Sequence, residues 1–181
     1  TILDIARRCR AQLKHVVVVD DGSTDADLRE LLKPIDVAVI RHETNRGKGA
    51  ALLTAFAYAA EHGGRFLISL DGDAQHFPED IPRFFPRLDD GTILVGARDD
   101  IAGDMPPASQ FGRAFSDFWI EVESGQCVRD TQSGFRAYPL AAVLKLNPRS
   151  RQYNFEMEII TRAVWAGMNA QSIGIRVFYP P

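Results

Sequence analysis

Two carboxylates one residue apart, Asp71 and Asp73, close the apolar run Phe66, Leu67, Ile68 and Leu70 in FLISLDGDAQ, and a carboxamide, Gln75, follows. A buried strand that ends in carboxylates needs something there to compensate them, because burying unpaired charge is costly. Alternation along an extended chain predicts Asp71, Asp73 and Gln75 on one side, with Gly72 and Ala74 too small to obstruct a ligand. Hard oxygen ligands at this spacing suit Mg²⁺ or Mn²⁺ and, through the metal, a diphosphate. Taken alone the pattern is weak, since a solvated acidic turn after a strand reads the same way.

The elements that must position these residues follow from periodicity. Thr1 to Leu13 places Ile2, Ile5, Ala6, Cys9 and Leu13 near one face of a helix. Val16 to Val19 is a β-branched run of the kind buried on both faces of a parallel sheet. DDGSTD, Asp20 to Asp25, supplies a glycine turn and a cap for a helix over Asp27 to Leu32, which Pro34 stops. A strand over Val37 to Ile40 leads through HETNRGKGAA to a helix over Lys48 to His62, closed by Gly63 and Gly64. After the strand Phe66 to Leu70, a short helix beyond Pro78 carries Ile81, Phe84 and Phe85, and a fourth strand, Thr92 to Val95, ends in GAR. This alternation predicts an α/β fold, a mostly parallel sheet flanked by helices. Ligands bind such sheets at the carboxyl ends of the strands, where Asp20, Asp21, Asp71, Asp73 and Arg98 can share one cleft.

The second half changes character. Asp100 to Ser109 reads as a loop, Phe111 to Val122 as an aromatic-rich helix with Phe111, Phe115, Phe118 and Trp119 on one side. Cys127 to Pro139 reads as a site loop between short strands. Phe155 to Ala166 is a further helix bearing Glu156 and Glu158, and Ser172 to Tyr179 alternates as an edge or antiparallel strand does. No repeat, low-complexity segment or domain boundary interrupts residues 1 to 181, which read as a single domain.

Composition narrows the classes. With 181 residues, 45% hydrophobic and 25% charged, the chain can build one sizeable core. A net charge of −3 and the absence of a basic run argue against nucleic acid as a partner. Cys9 and Cys127 have neither disulfide nor zinc spacing and read as two reduced, buried thiols of a reducing compartment. No apolar run approaches the roughly 20 residues of a membrane helix, so the expectation is a soluble, cytoplasmic chain able to touch a membrane peripherally.

Five motifs stand in order: DDGSTD at Asp20, NRGKGAA at Asn45, DGDAQHFPED at Asp71, GAR at Gly96 and DTQSGFRAY at Asp130. Together they resemble the family-2 glycosyltransferases of the GT-A fold, and most of all the polyprenol-phosphate sugar synthases of the dolichyl-phosphate mannose synthase type. The resemblance covers nearly the whole chain. It implies a Rossmann-like GT-A domain that transfers a sugar, with inversion, from a nucleotide-diphosphate sugar to a polyprenyl phosphate or another lipid-linked or glycan acceptor, at the cytoplasmic face of a membrane. Family members begin with an N-terminal strand that is missing from this chain. The expectation is therefore further residues before Thr1 and after Pro181, and no direct pairing of Val16 to Val19 with Phe66 to Leu70.

The resemblance also implies roles. Asp71, Asp73 and Gln75 would hold Mg²⁺ or Mn²⁺, while Asp20, Asp21, Lys48, Asp71 and Arg98 would bind the donor. Lys48 starts a helix beside Gly47 and Gly49, where backbone donors and an ammonium suit phosphate oxygens. Arg113, Ser133, Arg136 and Glu156 fall on the acceptor side, with Asp130, Arg136 and Arg113 as the catalytic set. A sugar hydroxyl needs Asp130 as a base. A lipid phosphate, with a second pKa of about 6, is largely dianionic already, and Asp130 would then orient the arginines.

Other readings compete. NRGKGAA is not a P-loop, because Lys48 is followed by Gly49. A haloacid-dehalogenase-like phosphatase also carries D-x-D after a strand, but leaves DDGSTD unexplained. A catalytically silent sugar-nucleotide-binding domain is the third class. Structural roles remain open for Asp20 and Asp25 as turn and cap, Asp130 with Arg136 as an ion pair, and His76 as a turn former.

Overall fold

The computed structural model describes residues 1–102, 117–123, 125–152 and 154–178, with residues 99–102 described by backbone alone. Arg113, Phe111, Phe115, Tyr179 and the 103–109 part of the expected loop lie outside the described residues. In chain order the elements are α1 (Ile2–Gln12), β1 (Val17–Asp20), α2 (Leu28–Leu32), β2 (Ala38–Arg41), α3 (Lys48–Glu61), β3 (Phe66–Ser69) and β4 (Thr92–Ala102). Then follow α4 (residues 117–123), β5 (Arg136–Pro139), α5 (Leu140–Val143), α6 (Phe155–Trp165) and β6 (Asn169–Phe178).

Local chemistry explains most boundaries. Asp27 caps α2 by accepting from the Arg29 N–H at 3.0 Å, and Pro34 converts its end to a 3₁₀ turn over Lys33–Ile35. The short helix expected after Pro78 forms instead as two 3₁₀ turns, Pro78–Arg83 and Phe85–Arg87. Pro82 and Pro86 lack the N–H that an α-helix would need there.

The strands form two sheets. β1 and β2 pair in parallel, Val17 opposite Ala38 through Asp20 opposite Arg41, and β1 is not hydrogen-bonded to β3. The larger sheet has the order β3-β5-β4-β6. β6 takes the expected edge position but runs parallel to β4, and β5 is antiparallel to both of its neighbours. The α/β layering is as expected, with β5 as the addition that makes the larger sheet mixed. Because β5 is reversed, its first residue, Arg136, lies opposite Ser69 of β3 and Val95 of β4. The loop entering β5 is thereby delivered to the edge where β3 ends.

Both faces of the larger sheet are covered. Phe56 of α3, Phe155, Ile159 and Ile160 of α6, and Ile120 of α4 pack with Ile93, Val95 and Tyr138 on one face. Ile81, Phe84, Phe135, Ile173, Ile175 and Val177 pack with Leu94 and Ala137 on the other, reinforced by Cys9 and Leu13 of α1. The alternation of Ile93, Leu94 and Val95 between the two clusters is the period-2 signature of a strand buried on both faces. No helix among the described residues is long and apolar enough to cross a membrane.

Candidate active site

The turn after β1 is a clamp. Asp20 is buried, accepts from the Ser23 N–H at 2.8 Å and pairs with Arg41 at 3.1 Å, so its carboxylate is spent on the turn and not offered to a donor. Asp21 accepts from the backbone N–H of Arg46 at 3.0 Å and of Gly47 at 2.8 Å, and contacts His42 Nδ1 at 2.6 Å. These bonds fix the turn that starts α3. Gly47 has φ +93 there, and a Cβ on it would lie 2.4 Å from the Arg151 carbonyl, so the close approach of α3 to the segment before α6 needs a glycine.

Burial pushes the Asp21 carboxyl up, but the Arg46 and Gly47 amides and His42 outweigh it and hold it below the usual carboxylate range. A depressed folded-state value contributes stability above the ordinary carboxylate pKa of about 3.9, and that stability is lost as pH falls through the folded value. Asp21→Asn is expected to remove this component, flattening the fall of the unfolding midpoint between about pH 4 and pH 2. Thermal unfolding across that range checks it; an unchanged slope would remove Asp21 from the account.

α3 delivers Lys48 into a group of carboxylates. Its Nζ lies 2.7 Å from Asp71 Oδ1 at the end of β3 and 2.7 Å from Glu156 Oε1 in the first turn of α6. Burial lowers the Lys48 ammonium pKa, yet the two carboxylates prevail and hold it above its ordinary value. Asp71 rests against Gly134, where a Cβ would meet its carboxylate oxygens at 2.3 and 2.5 Å. Glu156, placed on the acceptor side by the sequence reading, thus stands beside Lys48 and Asp71.

The D-x-D segment does not stay extended. β3 stops at Ser69, Ala74 adopts φ +66, and Asp73 Oδ1 accepts from the Gln75 N–H at 3.0 Å, forming an Asx turn. The expected one-sided row of Asp71, Asp73 and Gln75 is therefore broken: Asp71 turns to Lys48 while Asp73 is exposed. Among the described residues no group of three His, Cys, Asp or Glu side chains is placed to hold a metal. The donor chemistry still fits a hard divalent ion, which takes one or two carboxylates and completes its shell with substrate phosphate and water.

Asp130 and Arg98 form a second group. Asp130 has φ +60, accepts from the Arg98 N–H at 3.0 Å, and receives two guanidinium hydrogen bonds from Arg98. The expected alternative, an Asp130–Arg136 ion pair, does not form. Arg136 is fully buried and donates to the carbonyls of Ser133 at 2.7 Å, Glu156 at 2.8 Å and Thr131 at 2.5 Å. It is a staple under the loop, sealed from solvent, so the phosphate-holding role expected of it does not fit. Ser133 is likewise buried within the turn, its N–H donating to the Asp130 carbonyl at 2.9 Å.

Two contributors escaped the sequence reading, and a third was read only as a turn former. Asp117 of α4 accepts from the Asp130 and Thr131 N–H groups and from the Thr131 hydroxyl, each at 2.8 Å, but nothing in its aromatic-rich surroundings marks it. His42 joins Asp21 to Thr54 Oγ1, 2.9 Å from its Nε2, and its place inside HETNRGKG was the available signal. His76, expected to shape the turn, is buried 5.5 Å from the Phe135 ring with Nδ1 unpartnered. Burial lowers its pKa first of all; Asp71, Asp73 and Asp130 pull upward and Arg98 downward.

Comparison with known proteins gives this arrangement a context. The family model described as glycosyl transferase family 2 matches residues 1–143. A UDP-N-acetylglucosamine–dolichyl-phosphate N-acetylglucosaminyltransferase of Methanococcus voltae is 28% identical over 189 residues, covering 91% of this chain and 75% of that protein. A polyprenol monophosphomannose synthase of Mycolicibacterium smegmatis is 29% identical over 177 residues, covering 89% and 65%. Among solved structures, glucosyl-3-phosphoglycerate synthase of Mycobacterium tuberculosis, in complex with Mn²⁺, UDP-glucose and glycerol 3-phosphate, superposes with a TM-score of 0.68 at 18% identity. That match covers 97% of this chain and 68% of the other.

Proposed function

The chain belongs to glycosyltransferase family 2 and is a glycosyltransferase of the GT-A fold, and from that premise we propose that it transfers a sugar from a nucleotide-diphosphate donor to a polyprenyl phosphate or similar lipid-linked phosphate. Family membership sets aside the phosphatase reading. The observation that carries the choice of acceptor is the state of Asp130. Its carboxylate is bound by the Arg98 guanidinium and backbone, as an anchor for a cation is, and is not poised as a base. A phosphate acceptor, largely dianionic near neutral pH with a second pKa of about 6, needs little base and does need a held cation.

In this reading the donor diphosphate lies at the start of α3, where backbone N–H groups and Lys48 receive its charge. Asp21 sets the geometry of that turn through Arg46 and Gly47. Asp71, Asp73 and Gln75 would hold Mg²⁺ or Mn²⁺, which when bound would neutralise charge on the departing diphosphate. Arg98, oriented by Asp130, faces the incoming phosphate, and Arg136 and Asp117 keep the loop that carries Asp130 in place. One displacement at the sugar carbon inverts its configuration. The setting proposed is the cytoplasmic face of a membrane, where lipid phosphates are presented.

The test is incubation of the chain with labelled UDP- and GDP-sugars, polyprenyl phosphate in detergent, and Mn²⁺ with or without EDTA. Label from at least one donor is expected to enter the organic phase in an acid-labile product, and EDTA is expected to prevent it. Thermal stabilisation by a nucleotide sugar with no transfer or hydrolysis would favour the silent binding domain instead.

A further inference from the structure

Glu156 is hard to explain as a surface acid. It is 3% exposed, and among the described residues the contact its carboxylate makes is with the Lys48 ammonium, 2.7 Å from Oε1. Arg136, fully buried, donates to the Glu156 backbone carbonyl at 2.8 Å and not to its side chain. The start of α6 offers some favourable dipole, which is small against the cost of a buried carboxylate. What compensates Glu156 is the Lys48 ammonium at 2.7 Å, and the same ammonium stands 2.7 Å from Asp71.

We propose that the space between the Asp71 and Glu156 carboxylates is a cation seat, filled by the chain's own Lys48 while no donor is bound and open to a divalent ion when Lys48 turns to a diphosphate. The inference deepens the donor-binding reading above and rests on it. With Lys48 in place, two carboxylates share one ammonium. If Lys48 leaves for a diphosphate, both carboxylates are uncompensated, and the diphosphate adds negative charge beside them. A divalent ion entering the seat offsets both, and the oxygens of Asp71, Glu156 and the diphosphate are the hard donors it prefers. Metal and nucleotide then help each other bind, and by linkage the help is reciprocal. Asp71 is the residue common to the seat and to the D-x-D turn.

The seat can be tested without catalysis and without nucleotide. Mn²⁺ binding is followed by electron paramagnetic resonance at fixed ionic strength for the unmodified chain, Lys48→Met, and Lys48→Met combined with Glu156→Gln. The unmodified chain is expected to bind Mn²⁺ weakly, Lys48→Met about tenfold or more tightly, and the double variant weakly again. Unchanged or weaker binding by Lys48→Met overturns the proposal, and so does a double variant that keeps the gain. Should Lys48→Met fail to fold, the unmodified chain decides alone: saturating UDP or GDP is expected to tighten Mn²⁺ binding about tenfold, and an unchanged affinity in the nucleotide-bound chain overturns the seat. Failure of UDP and GDP to bind at all would instead count against the donor reading, which the metal-only titration does not need.

Discussion

Asp71→Asn is expected to lower sugar transfer, measured as kcat/KM for the donor, by about 10³-fold, while moving the Tm by less than about 4 °C. Asparagine keeps the shape that fits against Gly134, where even a Cβ would come within 2.3 Å of the Asp71 carboxylate. It removes the charge that faces Lys48 at 2.7 Å. Packing is therefore preserved while the ammonium loses one of its two counter-charges and any divalent ion loses its innermost carboxylate. The small effect on stability follows because Glu156 continues to compensate Lys48 at 2.7 Å. Asp71→Glu is the informative companion: it retains charge but adds a methylene where Gly134 leaves no room, so it is expected to fail as well. A variant within tenfold of the unmodified rate would remove Asp71 from the chemistry.

The parts of the fold that periodicity encodes were legible. The β-branched run before Asp20, the apolar stripe of α3 and the run before Asp71 all become the elements their patterns predict. α3 enters the core through Ala55 and Phe56 and β3 through Leu67, whereas Val17, Val18 and Val19, in a two-stranded sheet, are only half-buried and not covered on both faces as expected. β5 was not legible. RAYP opens with a charged residue, and the sheet accepts it only because three carbonyls of the loop and α6 absorb the guanidinium, a compensation assembled from residues 131, 133 and 156. No local pattern announces a strand whose feasibility depends on partners 20 residues away.

The site divides in the same way. Residue types and motif order pointed to Asp21, Lys48, Asp71, Arg98, Asp130 and Glu156, and the fold brings these to one end of the sheets. What sequence could not supply was which acid pairs with which base. Arg98, at the end of the GAR motif, takes Asp130, whereas Arg136, closer along the chain, turns inward. The one-sided arrangement of Asp71, Asp73 and Gln75 required an extended chain, and the left-handed backbone at Ala74 is not a conformation that alanine advertises.

Arg136→Met is expected to destabilise the chain by about 3–5 kcal/mol, lowering the Tm by about 10–15 °C. Methionine matches the length of the arginine stem but carries no donor, so the carbonyls of Thr131, Ser133 and Glu156 would be buried without partners. The loss falls at the centre of the sheet, where Arg136 lies between Ser69 and Val95, so neighbouring strands cannot open to admit water without breaking their own ladders. Arg136→Lys keeps a charge and can reach only part of the set, because an ammonium lacks the planar fork that serves three carbonyls at once; an intermediate Tm is expected. The two roles the sequence allowed for this residue separate here. A staple lowers the Tm of both variants and leaves the acceptor KM of the folded fraction of Arg136→Lys within about twofold, because the guanidinium touches no substrate. An acceptor ligand would do the reverse, raising that KM steeply at an unchanged Tm, and such a result would return Arg136 to the phosphate-binding role.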